Sequence, residues 1–396
     1  MFTQCIVIVI IMSATFAEVS YLDTAFLSSV LGRPVASVVP SSMAGSGGLN
    51  AIMARLTVTF ADGGVATFVQ KELLAGRPEL GLAREALFYE KMARDLLKST
   101  PAVYHAYGDM ATGRKQLLFE DLSSAVQCGY FFGYGSPHNN GKDLALITSS
   151  FPDVDCRFIT LEAFRTLARI HGRHWMSASL LGRSWLRCSS YFRAAPSGDE
   201  EAHFYSVHKV ATDAWSKVLS SLNTSSVVWD DAVLSLMSAS FSKISWRDYQ
   251  TSLLTHPWTL MHGDFHPANL MMREDTREVV ILDWEVVGIG RGAQDLGQFV
   301  ISHMSAADRR SVEDEALRAY YSALCLSAGG ALDAAAYTLG ACREEYVAGG
   351  VARWVWLLAY IASCCPETMT QYFHDQLLAF AVDNGVTPDS VEMPRI

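Results

Sequence analysis

The chain has 396 residues, half of them hydrophobic and 18% charged, and carries a formal net charge of −10. That is chain enough for two domains and a large core, and it excludes global disorder. The acidic balance argues against bulk nucleic-acid binding and suits a cationic small-molecule partner.

Residues 1–17 form an apolar leader around the run Cys5–Met12. The run has no basic residue before it and is too short to span a bilayer. Three readings stay open: a signal peptide cleaved near Ala17, an apolar extension, and a start at Met12. The eight cysteines make no Cys-x-x-Cys pair and read as reduced core residues. A cytoplasmic location is therefore expected, with the secretory pathway as the alternative and no stable membrane insertion.

The pattern then predicts a short amphipathic helix over 19–31, a strand at 35–39, and a glycine-rich loop over 41–50. Alternating residues 52–60 and 65–73 read as strands joined at Asp62-Gly63-Gly64. The second strand carries Lys71. One helix over 79–99 follows, holding Glu85, and then a strand at 117–119 that ends in Glu120-Asp121-Leu122. Residues 129–142 are loop-like in composition. Downstream the spacing is helical at 159–175, 203–222 and 230–254, and again at 293–304, 307–328, 331–348, 351–364 and 367–384. The expected fold class is α+β: a small β-rich N-lobe over 18–121 and a larger, mainly helical C-lobe over 122–396.

Within the helical part lies a polar interruption, Leu260-Met-His-Gly-Asp-Phe-His-Pro-Ala-Asn269, followed by Val279-Val-Ile-Leu-Asp-Trp-Glu285. Strands are expected at 259–261, 270–272 and 279–282. Pairing Met272 with Val280 brings Asn269 opposite Asp283, with Asp264 on the loop just before them. Two carboxylates and an amide oxygen suit a hard cation such as Mg²⁺. The spacing, an Asp five residues before an Asn and a second Asp on the next hairpin, matches phosphoryl-transfer machinery.

The motifs His262-Gly-Asp-Phe-His-Pro-Ala-Asn269 and Ile281-Leu-Asp-Trp-Glu285 closely resemble those of the aminoglycoside phosphotransferase and choline kinase superfamily. The ecdysteroid kinase-like and choline kinase-like branch is the nearest in form. The resemblance implies a bilobal, protein-kinase-like fold, with ATP and Mg²⁺ as cofactors. It implies Asp264 as catalytic base and Asn269 and Asp283 as metal ligands. Lys71 would contact phosphates, held by Glu85, and Glu120, Asp121 and Leu122 would form an adenine hinge. Gly45, Ser46, Gly47, Gly48 and Asn50 would form the phosphate flap. His262, His266 and Asp295 would support the catalytic loop, and Glu285 would be a further metal or acceptor contact. No long activation segment follows Asp283, which favours a small-molecule hydroxyl acceptor over a protein.

The acceptor would be an amino alcohol, an aminoglycoside-like or a sterol-like molecule, and the protein a monomer or homodimer. Trp354, Trp356 and Tyr360 read either as core packing or as an aromatic cage for a quaternary ammonium. The alternative function is a catalytically inert nucleotide-binding regulatory protein. A metal-dependent hydrolase built on His262, Asp264 and His266 is a third reading, without the additional histidine cluster such sites use.

Overall fold

The computed structural model describes residues 22–43, 51–73, 78–96, 98–192 and 198–396. The leader 1–17 and the flap residues Gly45, Ser46, Gly47, Gly48 and Asn50 lie outside them. The chain divides into two compact units. One holds residues up to Val126 together with Met271–Val286; the other holds Gln127–Leu270 and Val287–Ile396. Composition alone divides the chain near residue 121, whereas the structure groups the hairpin residues 271–286 with the first unit.

The first unit is built on a five-stranded antiparallel sheet, in the order β1 (Val35–Ser42), β2 (Ile52–Phe60), β3 (Val65–Leu73), β5 (Lys115–Glu120) and β4 (Val103–Gly108). Alternation along β2 buries Ala54, Leu56, Val58 and Phe60 on one face. They pack with Phe68, Leu118, Leu22 and Leu27. Asp23 caps the helix Thr24–Leu31 through Phe26 N–H at 2.7 Å. The turn between β2 and β3 needs Gly63, which sits at φ 85°.

Strand β4 is absent from the sequence reading. Its residues Val103–Gly108 are half-exposed, and the polar His105 interrupts the apolar pattern. The single helix expected over 79–99 is three pieces: 3₁₀ turns at Pro78–Leu80 and Ala93–Leu96 flank the helix Arg84–Lys91. Gly81 at φ 66° sets the first break. A short sheet of β6 (Ala125–Gln127), β8 (Leu270–Arg273) and β9 (Val279–Ile281) completes this part.

The second unit is mainly helical. Helix Cys156–Arg173 packs on Ala306–Ala328, and Ala293–His303 packs on Leu339–Cys364. Strands β7 (Thr259–Met261) and β10 (Gly288–Gly290) pair antiparallel. The helix expected over 230–254 breaks into Asp231–Ser242 and Trp246–Thr255, because Ser245 starts a new cap on Asp248 N–H. Conversely, the helices expected at 331–348 and 351–364 are one helix, Leu339–Cys364. Gly349 and Gly350 do not end it. They make room for the neighbouring helix: a Cβ on Gly350 would stand 2.9 Å from the Gly297 Cα. The Leu339–Cys364 helix is long and apolar enough to cross a membrane, but 67% of its apolar window is buried inside the protein. Cys128, Cys156, Cys188, Cys325 and Cys342 are free thiols.

Candidate active site

In the first unit, Lys71 on β3 is buried. Its Nζ lies 2.8 Å from Glu85 Oε2, 3.1 Å from Asp283 Oδ1 and 3.3 Å from Glu285 Oε1. Burial alone would lower its pKa. Asp283, Glu85 and Glu285 outweigh burial and hold it well above its ordinary value. A second lysine joins the group. Lys115 Nζ donates to Glu85 Oε2 at 2.7 Å and to the Glu285 carboxylate.

Trp284 fixes the carboxylates on either side of it. Its ring is buried and stacks on Phe88 with centroids 4.0 Å apart, and its indole N–H donates to Ile281 O at 3.2 Å. Phe88 lies one helical turn beyond Glu85, so this stack joins the Asp283–Glu285 segment to the helix that carries Glu85. Asp283 itself sits at φ 63°. That is left-handed backbone, uncommon outside glycine and tolerated best by Asp and Asn.

In the second unit, the loop after β7 is pinned from behind. Asp295 accepts His262 N–H at 2.8 Å and Gly263 N–H at 3.0 Å, and His262 Nδ1 accepts Asp264 N–H at 3.2 Å. Gly263, at φ 80°, makes the bend. Asp264 is thereby presented with Oδ1 accepting Gln298 Nε2–H at 2.7 Å. Asn269 donates its Nδ2–H to Asp264 O at 3.0 Å and reaches Oδ2 at 3.4 Å. His266 Nε2 lies 3.6 Å from Oδ2, and its ring stacks on His303.

Burial would raise the Asp264 pKa. His266, Arg353 and His262 outweigh it and hold the carboxyl well below the usual carboxylate range. Arg353 is buried, donates to Gln298 Oε1 at 3.2 Å and to Gly263 O at 3.1 Å, and is pushed down to about 10 by burial and by Arg187.

The expected residues thus fall into two groups. Lys71, Glu85, Asp283 and Glu285 meet in the first unit; His262, Asp264, His266, Asn269 and Asp295 meet in the second. Asn269 has its amide nitrogen committed to Asp264, which turns its oxygen outward from that bond.

The Glu120 and Asp121 side chains serve the first unit internally. Arg273 pairs with Glu120 at 3.0 Å, and Arg55 pairs with Asp121 at 2.8 Å. The Leu122 carbonyl accepts Ala125 N–H at 2.9 Å. Trp354 is core rather than cage: fully buried, it stacks on Phe373 and donates to Gln298 O at 3.3 Å. Trp356 is also buried and stacks on Tyr360.

Three residues of this machinery escape the sequence reading. Lys115 carries a readable cue, because Lys115, Leu117 and Phe119 alternate on the inward face of β5. Gln298 follows Asp295 by three on one helix, a weak cue. Arg353, inside an apolar helix, carries only the oddity of its charge.

Residues 239–376 match a family model described as "uncharacterized oxidoreductase dhs-27". The matched span contains the whole acid and amide motif. Its glycine run 288–292 begins on β10, which pairs antiparallel with β7, so no parallel dinucleotide-binding unit is built there.

The chain resembles the aminoglycoside phosphotransferase and choline kinase superfamily. Its fold class is α+β, with a small antiparallel-sheet unit and a mainly helical unit. Among solved structures, a Plasmodium vivax ethanolamine kinase is 11% identical, with TM-score 0.47, covering 90% of this chain and 84% of its own. A spectinomycin phosphotransferase in complex with ADP and spectinomycin is 11% identical, with TM-score 0.40 over 89% of this chain and 97% of its own. An amicoumacin kinase in complex with AMP-PNP, Ca²⁺ and Ami is 9% identical, with TM-score 0.40 over 88% of this chain and 89% of its own. No curated protein sequence matches. At these scores the reading of the site rests on the motif and its geometry.

Proposed function

We propose that this protein is an ATP- and Mg²⁺-dependent kinase that transfers the γ-phosphoryl group to a hydroxyl of a small molecule. The observation that carries the reading is the Asp264–Asn269 pair. One carboxylate and one amide, five positions apart, are fixed to each other, with the amide nitrogen turned inward and the carboxylate kept ionised.

The division of labour follows from the chemistry. Bound Mg²⁺ would neutralise phosphate charge, held by Asp283 and Asn269. Lys71 adds a fixed positive charge for the phosphates, with Glu85 preventing it from swinging away. Gln298 occupies Asp264 Oδ1 at 2.7 Å, and Oδ2, approached at 3.4 Å by Asn269 and at 3.6 Å by His266, is the more loosely held oxygen and the one that meets the acceptor's hydroxyl. A carboxyl held so far below its usual range is a weak base, and it serves mainly to align the hydroxyl. A loose phosphoryl transition state asks for little more. The acceptor class is an amino alcohol, an aminoglycoside-like or a sterol-like alcohol, in keeping with the short link from Asp283 to helix Ala293–His303.

The deciding experiment incubates the full chain with γ-labelled ATP, Mg²⁺ and a fractionated metabolite extract. The expected result is label in an alcohol-bearing fraction. Thermal stabilisation by Mg·ATP with no label transferred to any fraction would overturn the kinase reading in favour of an inert nucleotide-binding protein.

A further inference from the structure

The first unit carries more buried charge than phosphate binding requires. Lys71 and Lys115 share Glu85, and they also share Glu285: the contacts are 2.8 and 3.3 Å from Lys71, 2.7 Å from Lys115 to Glu85, and a direct bond from Lys115 to Glu285. These four side chains close a ring of alternating sign. The ring is neutral. Asp283 hangs outside it, on Lys71 alone among the ring's cations, at 3.1 Å. Oxygens of Glu85, Asp283 and Glu285 nevertheless lie within 4.8 Å of one another, the donor set a hard cation would take.

We propose that Lys115 is a positioning residue that closes this ring and, by holding Glu285 and Glu85, reserves Asp283 as the one metal-binding carboxylate of the unit. The proposal rests on the phosphotransferase reading, and it assigns Glu285 to the ring in place of a metal or acceptor contact.

Three observations support it. The Lys115 side chain is completely enclosed, so its charge has no solvent to rely on and must be matched by these carboxylates. Its register is fixed: Lys71 pairs with Leu117 and Leu73 with Lys115, so both lysines project from the same sheet face. Glu285 is held by its backbone as well, since its carbonyl accepts from Arg84 at 3.3 Å, while Trp284 is locked on Phe88. A carboxylate already paired with two ammonium groups, as Glu285 is through Oε1, is a poor metal ligand. Remove one ammonium and it becomes a good one.

The test measures Mn²⁺ binding to the full chain without nucleotide, by electron paramagnetic resonance, in the wild type, Lys115→Met and Lys115→Met/Glu285→Gln. Lys115→Met should bind Mn²⁺ at least about tenfold more tightly than wild type, and the double variant should return to the wild-type level. A purely packing role for Lys115 would lower thermal stability without the gain in Mn²⁺ affinity or its reversal. Either missing effect overturns the proposal.

Should Lys115→Met not fold, Glu285→Gln decides, because Lys115 then keeps Glu85. The Mg²⁺ concentration for half-maximal thermal stabilisation by ATP should stay within about twofold of wild type. A rise of about tenfold would make Glu285 a metal ligand and overturn the ring. These readouts need no turnover. A gain in Mn²⁺ affinity in a chain that transfers no phosphate would keep the ring and reject the kinase.

Discussion

The two groups of site residues hold their carboxylates by different means. The first encloses five full charges and balances them directly, ammonium against carboxylate at 2.7 to 3.3 Å. The second presents Asp264 through an amide from Gln298, an amide from Asn269 and a loop pinned by Asp295, with the His266 ring 3.6 Å from Oδ2. Its one strong cation, Arg353, touches Gln298 and the Gly263 carbonyl rather than the carboxylate. The difference suits the proposed roles. A phosphate-binding lysine must be rigid and can be locked in an ion ring. A carboxylate that aligns a hydroxyl must keep one oxygen available, and a salt bridge would occupy it.

The sharpest way to separate the two strategies is to change one charge in each. Asp264→Asn keeps shape and polarity. It should cut turnover by roughly 10²–10⁴-fold while the melting temperature holds, as steady-state phosphorylation and calorimetry would show. Turnover near wild type would end the assignment of Asp264.

Lys71→Met should do the reverse in kind. It takes one of two ammonium groups from the buried carboxylates Glu85 and Glu285 and weakens the hold on half-buried Asp283, and denaturant unfolding should report a loss of about 3 kcal/mol. A loss no greater than that of Asp264→Asn would erase the contrast between the two groups.

A third test uses a polar group with no partner at all. His208 is buried in the second unit against Phe204, with ring centroids 4.4 Å apart and both ring nitrogens unbonded. Burial pushes its pKa from 6.5 down to about 4. Above 6.5 both states are neutral. Below it the unfolded chain takes the proton first, so stability falls as pH drops from about 6.5 to about 4. The loss should approach roughly 3 kcal/mol. Chemical denaturation across that window should show the slope, and His208→Phe should flatten it.

The mildest change is Gln298→Leu. It removes the bond to Asp264 Oδ1 and a partner of Arg353, leaving the carboxylate present but loosely aimed. A fall in turnover of about 10²-fold, with ATP binding intact by thermal shift, is expected. An unchanged rate would mean that Asn269 and the loop aim Asp264 unaided.

Much of this was legible in the sequence, for reasons that differ by residue. Asp264, Asn269 and Asp283 sit within twenty positions of one another, interrupting apolar strands, so spacing alone exposes them. Lys71 follows from strand order. Glu85 is legible only through the resemblance, because a glutamate on a helix is common. The unexpected partners come from far along the chain: Gln298 lies 34 residues from Asp264, and Arg353 lies 90 from Gly263. No periodicity links such positions; packing does. The same holds for the fused helix Leu339–Cys364. Two adjacent glycines look like a stop until the neighbouring helix is seen to need their missing side chains. Strand β4 shows the opposite error, since its half-exposed residues give alternation too little contrast.

The backbone of Asp283 has a consequence for how such a protein could change over generations. Its φ of 63° admits few residues comfortably, chiefly glycine, asparagine and aspartate. The first two lie one base change from an aspartate codon, and both discard the carboxylate while keeping the turn. Most other substitutions would be removed by selection for folding before their chemistry mattered. Drift at this position therefore has two easy exits, and both lead to a relative that keeps the turn and has lost the carboxylate proposed to bind metal. On the kinase reading, an inert descendant is thus a single mutation away, at a position where the backbone would raise no alarm.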